Sequence, residues 1–69
     1  MDNFKITLKA ARVNAGLTQK EVAAKMGVTN NTIVNWELGK SEPKVMQARQ
    51  LAELYGVSIK HIFLPCESN

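Results

Sequence analysis

Apolar residues recur along this chain at spacings of three and four, and glycines at 16, 27, 39 and 56 with prolines at 43 and 65 cut it into short segments. That pattern predicts a run of short amphipathic helices and no strand. The first helix is expected over residues 8–15, with Thr7 as its N-cap, Gly16 as its stop and Leu8, Ala11 and Ala15 on one face. Thr18-Gln19-Lys20-Glu21 matches a capping box, so the second helix starts at Thr18 and carries Val22, Ala23 and Met26 inward until Gly27. Only Gly27 and Val28 then precede Thr29, which caps a third helix over residues 30–38 that ends at Gly39. Pro43 opens a fourth helix, where its missing amide costs nothing, and Val45, Ala48, Leu51, Ala52 and Tyr55 form its apolar stripe before Gly56. A fifth, short helix capped by Ser58 carries Ile59, Ile62 and Phe63 toward Pro65. The expectation is an all-α, compact five-helix domain in which residues 18–38 form two helices joined by a turn too tight for anything but a steep crossing.

Around the third helix, Ile33 and Trp36 share a face with Glu37 beside them, and this face must point inward to give the domain a centre. Asn31 and Asn35 then point the opposite way, and Asn30 projects from the first turn. Asparagine competes with helical backbone hydrogen bonding, so three in six positions are not there for helix stability. In a DNA major groove each amide can donate to adenine N7 while accepting from adenine N6, and the spacing of four between Asn31 and Asn35 sets two along one edge. The alternative is that they are ordinary polar surface. Gln19 and Thr29 stand at helix N-termini, where backbone amides and the helix dipole favour a phosphate; plain first-turn polarity is the competing reading.

Sixty-nine residues with 45% hydrophobic content suit one domain, expected over residues 1–69 with its core in 7–64. A net charge of +3 suits a polyanion without requiring one. Between residues 5 and 44 the balance sharpens to seven basic against three acidic side chains. No apolar run reaches membrane-span or signal-peptide length, so a cytoplasmic protein with no membrane partner is expected. The single cysteine, Cys66, has no partner for an internal disulfide, and no Cys/His cluster suggests a metal. His61, expected at the surface, and Cys66, a terminal thiol, offer no catalytic grouping; neither an enzyme nor a cofactor is expected.

The continuous stretch from Leu17-Thr18-Gln19 through Gly27-Val28-Thr29-Asn30-Asn31 to Trp36-Glu37-Leu38-Gly39-Lys40 closely resembles the helix-turn-helix of the Cro and lambda-type repressor family. The likeness continues through Arg12, Gly16, Pro43, Leu51-Ala52, Gly56-Val57-Ser58 and Ile62, covering roughly residues 7 to 64. It implies a transcriptional regulator, a repressor on a palindromic double-stranded DNA operator, bound as a homodimer. By the same resemblance Asn30, Asn31 and Asn35 read bases, Gln19 contacts phosphate, and Lys40 and Lys44 lie near the DNA backbone after the third helix. It also implies an ion pair between Arg12 and Glu37, for which a carboxylate next to the inward stripe supplies its own reason: once buried it needs a charged, bidentate partner. The chain departs from the usual family pattern at Val34, which the wheel sets near the outer face, and at Leu38. Their apolar side chains are either bland, or touch thymine methyl groups or a partner. A second reading makes the fold a protein-interaction module, antitoxin-like, whose outer face binds a protein. For Ile59, Ile62, Phe63 and Leu64, burial in the core and contact with a second subunit are both open.

Overall fold

The structure, a computed structural model, describes the backbone of residues 6–63 and the side chains of residues 7–60. Four α-helices make up most of it: α1 (Leu8–Asn14), α2 (Gln19–Met26), α3 (Asn30–Leu38) and α4 (Val45–Tyr55). Each of the first three starts at a threonine whose hydroxyl accepts an orphan amide of the first turn: Thr7 from Ala10, Thr18 from Glu21 and Thr29 from Thr32. At α2 the capping box closes fully, since the Glu21 carboxylate also accepts from the Thr18 amide at 2.9 Å.

The turn between α2 and α3 depends on a left-handed residue. Gly27 has φ +72°, where a side chain would strain the backbone. Its amide bonds back to Ala24 and that of Val28 to Ala23, and Val28 packs on the core that contains Ala23. This double closure with its apolar contact is a Schellman ending. It lets Thr29 begin the next helix at once. The α2–α3 contact is the most extensive between any two elements.

The core gathers Leu8 and Ala11 from α1, Val22 and Ala23 from α2, Ile33 and Trp36 from α3, and Leu51, Ala52 and Tyr55 from α4. Leu17, Met26, Val28, Leu54 and Val57 pack around it. Among the described residues, no helix is long and apolar enough to cross a membrane.

Four sequence expectations change. The fifth helix is a single 3-10 turn, Ile59–His61, with the Ser58 hydroxyl accepting from the Lys60 amide at its start, and the backbone then extends into a strand. Ile62–Phe63 (β2) pairs in parallel with Ile6–Thr7 (β1), in register Ile6 to Ile62 and Thr7 to Phe63. Strands of two residues are too short to leave a period-two signal, which is why none was expected. Third, Pro43 is buried ahead of α4 rather than inside it: Lys44 takes the N-cap position and its amide donates to Gln47 Oε1 at 2.9 Å. The helix therefore starts later, and Val45 is 70% exposed instead of belonging to the stripe. Finally, Ala15 is exposed as the C-cap of α1, and Arg12 takes up the buried flank of that helix. The side chains of His61, Ile62 and Phe63, together with Leu64, Pro65 and Cys66, lie outside the described residues.

Candidate nucleic-acid interface

The buried face of α3 fixes what its other face presents. Ile33 and Trp36 are locked in the core, leaving Asn30 and Asn31 exposed and Asn35 half-buried. None of these three side-chain amides bonds to any other described residue. Each retains its donors and acceptor for something outside the chain. Leu38, 62% exposed, continues the same outward side, whereas Val34 is half-buried and reaches the outer face less than the helical wheel suggests.

A polar cluster sits behind this face. Arg12 Nε donates to Glu37 Oε2 at 2.6 Å and its NH2 to Glu37 Oε1 at 3.3 Å. The third guanidinium nitrogen, NH1, donates to the Leu17 carbonyl at 2.9 Å. The two charged side chains are 11% and 5% exposed, so the pair is desolvated and its forked geometry is what makes that tolerable. It ties α1 to the end of α3 and to the loop that leads into α2.

Gln19 joins the same cluster, donating from Nε2 to Glu37 Oε1 at 3.0 Å. A carboxylate only accepts, so the amide edge facing it must be nitrogen. Nothing in the spacing pointed to this bond, because Gln19 and Glu37 are 18 residues apart on different helices. Tyr55 lies close enough to feel the cluster. Burial pushes its hydroxyl up to about 12 from 10.0, the Glu37 carboxylate adds to the rise and Arg12 offsets part of it.

The remaining candidates divide. The Thr29 hydroxyl is occupied at the start of α3, accepting from the Thr32 amide at 3.2 Å and sharing a 2.8 Å hydrogen bond with the Thr32 hydroxyl. Its offer to a phosphate is therefore backbone and dipole rather than a free side chain. Lys40 follows α3 directly, its amide bonded to the Asn35 carbonyl at 2.9 Å, and its side chain is exposed, as is that of Lys44. The structure thus brings Asn30, Asn31, Asn35 and Lys40 onto α3 and its end, with Gln19 linked to α3 through Glu37.

Two helices joined by one left-handed glycine, the second turned outward with unbonded amides and a basic end, define a helix-turn-helix protein. The chain belongs to the helix-turn-helix family, which it matches over residues 8–62. It is 40% identical to an uncharacterized HTH-type transcriptional regulator of Methanocaldococcus jannaschii, over 88% of this chain and 92% of that protein. It is 36% identical to the cryptic phage CTXphi transcriptional repressor RstR of Vibrio cholerae, over 96% of this chain and 60% of the repressor. With the HTH-type transcriptional regulator ImmR of Bacillus subtilis it shares 40% identity over 80% of this chain, but 43% of the relative. The resemblance to phage-repressor helix-turn-helix proteins is borne out by these matches. No solved structure matches the chain.

Proposed function

We propose that this chain is a single-domain, sequence-specific double-stranded DNA-binding repressor that acts in the cytoplasm as a homodimer on a two-fold operator. The observation that carries the reading is the outward face of α3, where the Asn30, Asn31 and Asn35 side chains stand with no partner among the described residues on a helix whose opposite face is fixed in the core. The family match and relatives named as transcriptional regulators and a phage repressor support it.

In this reading α3 lies in the major groove and its three asparagines read base edges, adenine fitting their paired donor and acceptor. Gln19, the N-terminal end of α3 at Thr29, Lys40 and Lys44 hold phosphates and set the register. Regulation needs no bond to be made or broken: occupancy of the operator is the whole effect. Two-fold symmetry places a second α3 about one helical turn along the duplex.

Selection from a random duplex library tests the reading, with enrichment of a two-fold site as the expected result. Asn31→Ala and Asn35→Ala should each weaken the selected site by about 1–3 kcal/mol while barely changing affinity for random DNA. Equal losses on both duplexes would remove the base-reading role, and a library with no enrichment would overturn DNA recognition altogether.

A further inference from the structure

Among the groups proposed to meet DNA, Gln19 is the one whose side chain the folded protein holds from another helix. Its Nε2 gives one hydrogen to Glu37 Oε1, which leaves the second N–H and the carbonyl oxygen without a partner among the described residues. A carboxamide is planar, and a half-turn about its last torsion exchanges donor for acceptor. A free glutamine therefore presents oxygen to a phosphate as readily as nitrogen, and oxygen repels it. Glu37 removes that choice, because only nitrogen can face a carboxylate.

The same arrangement would fail if Glu37 were alone. A phosphate bonded to the other amide hydrogen would stand one side-chain group away from a second anion. Arg12 answers that charge through two donors to Glu37, and its remaining contact to the Leu17 carbonyl fixes the loop before Gln19.

We propose that Glu37, neutralised by Arg12, is a positioning residue for DNA binding: it holds the Gln19 carboxamide with its remaining donor set toward a backbone phosphate. This rests on the reading of Gln19 as a phosphate contact. The ion pair then has a duty besides stability, and it acts without touching the nucleic acid.

The test separates holding from folding. Replacing both members of a buried pair with apolar residues can leave stability unchanged, so Arg12→Met/Glu37→Met is the background of choice. Binding to labelled duplexes of selected and of random sequence is measured by fluorescence anisotropy, with thermal unfolding followed by circular dichroism. In the wild type, Gln19→Ala should weaken both duplexes about tenfold, the scale of one hydrogen bond to a charged group, with a lowered melting temperature but a folded protein at the temperature of the binding assay. The double background should lose about the same factor while remaining folded, and adding Gln19→Ala to it should cost nothing more. A tenfold loss from Gln19→Ala that persists in the double background would overturn positioning, as would wild-type affinity in that background. Normal binding by Gln19→Ala in the wild type would remove the phosphate contact itself, and the proposal with it, while leaving DNA recognition intact. Failure of the wild type to bind either duplex would instead overturn the proposed function.

A second measurement does not depend on the double variant folding. In NMR spectra of the wild type without DNA, the Gln19 side-chain amide protons should exchange more slowly with water than those of Asn30 and Asn31. Exchange at the same rate would mean that the carboxamide is not held.

Discussion

Arg12 serves three acceptor atoms, two on Glu37 and one on the Leu17 backbone, and removing it leaves a desolvated carboxylate with Gln19 as its one side-chain donor among the described residues. Arg12→Met alone should therefore destabilise the fold by about 3 kcal/mol in urea denaturation, against under about 1 kcal/mol for an exposed pair. Tyr55 gives a pH test with a defined sign. Its hydroxyl titrates near 12 when folded, against 10.0 as the ordinary value, so folding favours the protonated form. That contribution is fully present below pH 10 and is lost as pH rises toward 12, at about 1.4 kcal/mol per pH unit. Tyr55→Phe should flatten the alkaline limb of a stability profile measured between those limits. The need for a cation at Glu37 was legible in the sequence, because a glutamate next to an inward stripe calls for one, and the family resemblance named Arg12 as that partner. The Gln19 bond was not, because only the packing of α2 against α3 brings those two side chains together.

At the scale of elements, punctuation carried most of the information. Thr18, Thr29, Gly27 and Gly39 mark the starts and stops of α2 and α3 by local chemistry alone, and local chemistry is what a sequence shows directly. Beyond Gly27 itself and its two chain neighbours, no described atom lies within 4 Å of the position where a Cβ on Gly27 would fall. Gly27→Ala should therefore lower stability by about 1 kcal/mol through backbone strain alone, with the helical circular dichroism signal retained. A larger loss accompanied by reduced helicity would show that the turn had been rebuilt. Where the reading failed, the causes differ. α4 begins after Pro43 through a local bond, from the Lys44 amide to Gln47 three residues on, whereas the expected fifth helix gives way to an extended pair because the distant Ile6–Thr7 offers Ile62–Phe63 a strand partner.

For the molecule as a whole, the division between base-reading amides and phosphate-binding cations predicts two separable responses to salt. Each cation that neutralises a phosphate adds about 0.9 to the slope of log affinity against log salt concentration. Lys40→Ala/Lys44→Ala should reduce that slope by about two and weaken selected and random duplexes alike, whereas the asparagine substitutions should leave it unchanged. An unaltered slope in the lysine variant would place the phosphates elsewhere on the surface. The core behind this face is small, so each kcal/mol lost is expected to lower the melting temperature by about 4–8 °C. Variants meant to report on DNA contacts therefore need their unfolding measured beside their binding.

The pairing of Ile6–Thr7 with Ile62–Phe63 brings the two ends of the described backbone side by side, running in the same direction. The path between them is close to a ring with a clasp, and the order in which the helices follow one another is only one way of cutting that ring. Phe63 stands beside Thr7 and heads away from Ile6, so a tether rejoining the ends has to double back past the pair, which takes about a dozen residues rather than a tight turn. For anyone redesigning this fold, the clasp is the natural place to rejoin the chain, through a linker of that length, once it has been opened at another loop.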